Sequence, residues 1–200
     1  MIEKEHYLEI GKKYGHHSSW AVWADEGDKP KSNISDMRVF DLEQNPNLLL
    51  KLNPNIIMVG LNFSRKLGEQ LFVNFHDSNP HAQDYKIRYA FKDTEYYGAY
   101  MTDIIKDFEH LISGEVVSYL KTNKDFEEQN ITLFKQELKD LKTEAPLILA
   151  FGRTTNDILT KYFRKEYKIV KIPHYSMHIS KEVYKEVVAS IIKQKLVKSE

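Results

Sequence analysis

Residues 55–60 (NIIMVG) form an unbroken apolar run closed by glycine. A strand with one wet face alternates apolar and polar residues. A run without alternation is buried on both faces, as happens where helices cover both sides of a parallel sheet. Residues 146–151 (PLILAF) form a second such run, again followed by glycine. Residues 100–105 and 167–172 (YKIVKI), the latter stopped by Pro173, read as two further strands. Helical periodicity lies between and after them, over residues 82–91, 125–141 and 154–163. Residues 180–197 close the chain, with Ser180 as N-cap and Val183, Val187, Ile191 and Ile192 on one face. Strands alternating with helices imply parallel pairing through crossovers. The expected fold is α/β: three layers, α/β/α, around a central, mainly parallel four-stranded sheet.

Ahead of these strands, residues 2–14 read as an amphipathic helix with Ile2, Tyr7 and Ile10 among charges. Residues 15–51 are turn-rich and expected to be irregular, anchored by Trp20 and Trp23. The chain is thus read as one domain over residues 1–200, with a helix and an irregular extension at about 1–51. At 42% hydrophobic and 29% charged residues the composition is globular. No apolar run approaches the length of a membrane span and no signal peptide is recognised. The absence of cysteine excludes disulfides, thiolate zinc sites and cysteine-held iron–sulfur clusters. A cytosolic monomer is expected. Net charge is zero, with 29 basic and 29 acidic residues, which argues against a general nucleic-acid-coating protein. Residues 152–200 nevertheless carry 11 Lys+Arg against 5 Asp+Glu. That is either clustering on solvated helix faces or a basic end able to sit against phosphates.

Parallel sheets bind ligands beyond the C-terminal ends of their strands, so the segments after Gly60, Ile105, Phe151 and Ile172 are where function is sought. In VGLNFS, Asn62 projects from the end of a buried strand; its amide can hold a water or simply close a turn. In the loop FVNFHDSNPH, Phe75 either stacks a planar ring or fills the core. Thr102 and Asp103 sit in an apolar strand, where a buried hydroxyl and carboxyl need partners, unless they cap the next helix. Gly152 and Arg153 mark a strand–helix junction whose backbone N–H groups could face an anion or merely pack tightly. His174 lies just past a strand end, with Ser176 and His178 beside it.

In order and spacing, these segments resemble the uracil-DNA glycosylase superfamily, most closely its mismatch-specific branch. VGLNFS is similar to a strand followed by Gly-x-Asn-Pro-Gly, and GAYMTDIIK to a Thr-Asn/Asp-Leu-Val strand. LILAFGRTTNDIL resembles a strand running into a Gly-Lys/Arg junction, and HYSMHIS a His-Pro-Ser motif followed by a wedge residue. Phe63 and Tyr175 stand where those motifs carry proline. The resemblance implies metal-free hydrolysis of the N-glycosidic bond of a flipped uracil or mismatched base in DNA, without a cofactor. It implies Asn62 holding the attacking water and His174 donating to the base oxygen. Phe75, then Phe72, would stack the base, and Thr102 and Asp103 would line its pocket. Ser64, Arg153 and Ser176 would meet DNA, with Met177 and His178 at the wedge.

Three other readings compete. The same fold could bind or hydrolyse a small nucleoside, nucleotide or other base-bearing ligand. It could be a non-catalytic interaction domain, anchored by the two tryptophans of residues 18–23. His76, Asp77 and His81, or His174 and His178, could hold a metal, but Pro173 and the loop composition disfavour the helix that the second pair needs.

Overall fold

The computed structural model describes residues 2–25, 36–63, 68–79, 81–106, 108–110 and 112–197. The chain runs through α1 (Lys4–Tyr14), β1 (Ser18–Trp20), a 3-10 turn (Met37–Phe40), α2 (Leu48–Lys51), β2 (Asn53–Gly60), α3 (Tyr85–Phe91) and β3 (Ala99–Asp103). It continues through α4 (Ser113–Thr122), α5 (Lys124–Asp140), β4 (Leu147–Phe151), α6 (Gly152–Phe163), β5 (Lys168–Ile172) and α7 (Lys181–Val197).

All four expected strands are present within one to three residues of their expected ends and are mutually parallel. The sheet is nevertheless five-stranded and mixed, in the order β1-β3-β2-β4-β5, because Ser18–Trp20 pairs antiparallel with β3. The four-stranded expectation is corrected accordingly. β1 has only three residues, two of them serines, so no apolar run announces it. Both serines are fully buried because each hydroxyl has an acceptor: Ser18 Oγ donates to Tyr14 O at 2.9 Å and Ser19 Oγ to Phe72 O at 2.7 Å.

Side-chain alternation along the strands feeds two cores, one on each face of the sheet. Ile57, Val59, Tyr100 and Ile148 pack on Phe134 and Leu138 of α5, Leu159 and Phe163 of α6, and Tyr7 and Ile10 of α1. Met58, Met101, Leu149 and Ile172 pack on Ile87 and Phe91 of α3 and on Tyr184, Val188 and Ile192 of α7. Burying each such side chain stabilises the fold by about 1.5–3 kcal/mol before entropy is subtracted. The face that α7 buries is thus the 184–188–192 stripe; Val183 and Val187 are exposed, contrary to the grouping expected from periodicity. The described residues of 15–51 include β1, a 3-10 turn and α2, where an irregular extension was expected, and Phe40 and Leu48 join the first core. Trp20 is wholly buried against Tyr100 and Trp23 is buried beside His76, so neither is available to anchor a partner.

From β2 the chain crosses to β3 on one side through α3. From β3 it returns past β2 to β4 and then β5, through helices on the opposite face. The loops leaving β2 and β4, adjacent strands, therefore diverge, and a crevice opens between their C-terminal ends. β5 is the outer strand on that side, and its Lys168 and Lys171 are exposed. No described helix is long and apolar enough to cross a membrane.

Candidate functional site

A cleft of about 330 Å³ occupies that crevice. Each parallel strand contributes the residues at or beyond its end: Gly60 and Asn62 from β2, Asp103 and His110 from β3, Gly152 to Thr155 from β4, and His174 to Ser176 from β5.

Asp103 is the chemical centre of this arrangement. It pairs in register with Gly60, and a Cβ at Gly60 would collide with the Asp103 carboxylate, so only glycine lets that carboxyl lie over β2. Its Oδ2 accepts from Asn74 Nδ2 at 2.8 Å, and no described residue donates to Oδ1. The carboxyl is almost wholly buried. Burial pushes it up to about 7, against the opposing pull of the Asn74 hydrogen bond and the Lys106 charge. A group with that value exchanges protons at neutral pH.

Asn62 turns its amide nitrogen away from this chemistry. Nδ2 donates to the carbonyls of Phe63, Phe108 and His110 at 2.9, 3.0 and 2.9 Å, tying the loop after β2 to the loop after β3. What it leaves for the cleft is its Oδ1, an acceptor. His174 is fixed from behind: the Ser176 backbone N–H donates to Nδ1 at 3.2 Å and the Ser176 hydroxyl lies 2.8 Å from the same nitrogen. Because a backbone N–H must donate, Nδ1 is the bare nitrogen and Nε2 carries the proton. Desolvation holds the imidazole down, to about 4, so His174 is a neutral donor across the physiological range. Its ring stacks on Tyr175 with centroids 4.3 Å apart.

The fourth wall is the start of α6. Gly152 has φ +84°, the left-handed region that favours glycine, and this turns β4 directly into the helix. The first residues of α6, Gly152 to Thr154, thereby line the cleft. Thr155 lines the same wall, is 1% exposed, and its hydroxyl has no hydrogen-bond partner among the described residues. Arg153 is exposed, its guanidinium 3.5 Å from Asp157.

The remaining expected residues are placed elsewhere. Phe72 packs in the core against Tyr7 and Phe40, at 5.5 and 5.4 Å between centroids, away from the cleft, which corrects its assignment as a stacking ring. Phe75 is buried behind the cleft, against Phe151 and Tyr175. Thr102 points to the opposite face of the sheet, because neighbours in a strand alternate. Its hydroxyl bonds to Glu137 Oε1 at 3.0 Å and to Lys106 Nζ at 2.9 Å, so it holds a buried ion pair and does not line the cleft. Met177 and His178 are exposed at the tip of the loop after β5. That tip is braced by buried Lys86 of α3, whose Nζ donates to Met177 O at 2.8 Å. Ser64 lies outside the described residues. Among the described residues no three His, Asp or Glu side chains gather where a metal could sit, and His76 packs on Trp23 and Phe40 instead.

Sequence reasoning missed Asn74, His110, Thr155 and Lys86. Only Asn74 had a visible signal, as an amide between two aromatics in a loop that was already of interest. Compared with protein families, curated proteins and solved structures, the chain matches none.

Proposed function

We propose that the protein hydrolyses the N-glycosidic bond of a nucleobase flipped out of DNA, with uracil or a mismatched base as the ring removed. The observation that carries this reading is Asp103: a buried carboxyl, raised to about 7, in a small cleft that also presents the Asn62 amide and the His174 imidazole. In this scheme ionised Asp103 takes a proton from water while the water oxygen attacks C1′. The C1′–N bond breaks and its electron pair leaves with the base. His174 Nε2–H donates to an oxygen of the departing anion, the charge that most needs stabilising. Asn62 Oδ1 accepts from the attacking water and orients it. The role expected for Asp103, lining the base pocket, becomes that of general base.

Exposed Met177 supports extrusion of the base from a duplex. It is an apolar side chain on a braced loop beside the cleft, able to fill the space a flipped base vacates. The finer fold assignment, a uracil-DNA glycosylase-like domain, is part of the same proposal; the diverging loops after β2 and β4 place the cleft where that reading needs it. The second reading, a free nucleoside as substrate, is favoured by the zero net charge and by the Asp157 carboxylate that occupies Arg153.

The test is base release from labelled oligonucleotides carrying single-stranded U, U·G, T·G or hypoxanthine, beside the free nucleosides. It is run at low salt with excess protein, using wild type, Asp103→Asn and His174→Ala. Release that rises with pH through about 7 and falls at least about 100-fold in Asp103→Asn is expected. Absence of release from every oligonucleotide by folded protein overturns the DNA reading, and release from nucleosides alone selects the second.

A further inference from the structure

Beyond the cleft's reactive groups, the loop after β3 and helix α4 together carry three aromatic rings in a row. His110 and Phe108 are stacked, with centroids 5.8 Å apart and planes 16° from parallel. Phe108 and Tyr119 of α4 continue the stack at 4.6 Å and 29°. His110 lines the cleft at one end of the row, and Tyr119 at the other is 39% exposed. Both nitrogens of His110 are engaged. Nδ1 accepts from Ile112 N at 3.3 Å and Nε2 lies 3.0 Å from the Glu115 carboxylate. The imidazole therefore has no free polar edge to give a ligand; what it offers is a ring face, stiffened from behind by Phe108. Asn62 fixes the backbone of this segment by holding the carbonyls of Phe108 and His110.

A second groove, of about 270 Å³, adjoins the cleft and shares Arg153 and Thr154 with it. Leu120 and Lys121 of α4 form its other side, and the Glu127 and Asp157 carboxylates in it are paired with Lys124 and Arg153. Lys121 has no carboxylate within ion-pair distance among the described residues. Stacked rings and an unpaired lysine on the same helix as the last of them are the two elements by which proteins hold single-stranded nucleic acid: rings take the bases and cations take the backbone.

We propose that the His110–Phe108–Tyr119 stack is a second ring-binding site, a platform for the unpaired base next to the target nucleotide, with Lys121 against the intervening backbone. The inference rests on the cleft being a nucleic-acid site. Its consequence is a preference for strands of two or more nucleotides over isolated nucleosides.

The experiment places 2-aminopurine on either side of a 2′-fluorinated, non-hydrolysable deoxyuridine in a short single strand, and follows its fluorescence as protein is added. Wild type should quench the probe on one side only. His110→Ala should lose that quenching and bind the strand about tenfold more weakly, a larger loss than for the mononucleoside. His110→Phe, which restores a ring but neither hydrogen bond, should recover both signals. Failure of the Phe variant to recover them, or equal quenching by wild type and His110→Ala, overturns the platform. So does an absence of quenching at both positions. Quenching that depends on His110 without base release from hydrolysable strands retains the platform and removes the proposed hydrolysis. Base release that the Ala variant leaves unchanged, with equal quenching, does the reverse.

Discussion

Residues 72–76 and residues 173–179 flank the cleft's interior and its mouth, and they are held in different ways. In the first segment, Phe72 N–H donates to Gly15 O, Ser19 Oγ to Phe72 O, and Asn74 Nδ2 to both His17 O and the Asp103 carboxylate. Phe72 and Phe75 both have φ 64°, a left-handed conformation that costs a residue with a side chain on the order of 1–2 kcal/mol. It persists because bonds to the end of α1, to β1 and to β3 over-determine it. The second segment is partly exposed, with Ser176, Met177 and His178 in solvent and Tyr175 and Ile179 packed against the second core. It rests on local turns, on Tyr175 packed against Phe75 and Phe151, on Tyr184 Oη donating to Pro173 O at 3.0 Å, and on the bond from Lys86. The buried segment sets the position and proton affinity of a carboxyl, whereas the exposed one presents side chains. Aromatic composition alone suggested that the first would make the contacts.

Asn74→Leu gives the sharpest test of this contrast. It removes the only donor to Asp103 Oδ2 among the described residues, in a buried site, and a loss of about 4 kcal/mol is expected in urea unfolding at pH 8. At pH 5, where Asp103 holds its proton, the loss should be clearly smaller. Equal losses at both values would mean that Asn74 serves the loop and not the carboxyl.

The pH dependence of wild type comes next in size. Folded Asp103 titrates near 7 and an unfolded carboxyl near 4, so between these values the folded state binds the extra proton. Stability should therefore fall as pH rises through that window, by on the order of 4 kcal/mol at most, and level off above it. Asp103→Asn should lose that contribution to the slope and be the more stable protein at pH 8. A slope equal to wild type's would place the raised proton affinity elsewhere.

Much of this scaffold was legible. Doubly buried strands declare themselves as apolar runs, and β2 and β4 were found that way. The site was legible in its addresses, since strand ends in a parallel sheet gather at one edge. Asn62, Asp103, Arg153, His174 and Ser176 all line the cleft. Roles were harder. Nothing local tells Thr102 from Asp103, yet alternation sends one to a buried ion pair and the other to the cleft. Asn74 lies 29 residues from its carboxylate, and no periodicity encodes that distance. β1 was hidden because its two serines bury themselves only by bonding to partners that the chain brings from α1 and from residue 72.

Smaller effects should mark the exposed segment. Lys86→Met exchanges a buried ammonium for an apolar group of similar length, so global stability should shift by no more than about 1 kcal/mol. Proteolytic cleavage within residues 173–179 should nonetheless speed up, because the brace on Met177 is gone. Met177→Ala should change unfolding by less than about 0.5 kcal/mol while weakening retention of a flipped base. A stability loss comparable to that of Asn74→Leu would remove the contrast between the two segments.

Lys168 and Lys171 have a consequence for how the molecule behaves in a crowd of its own copies. The outermost strand of any sheet leaves a row of amide and carbonyl groups that a neighbouring chain can extend. Two ammonium groups along so short a strand set like charge against like charge when a second copy approaches in register. Replacing both with threonine would keep the strand and remove that repulsion, favouring edge-to-edge assembly of copies at high concentration.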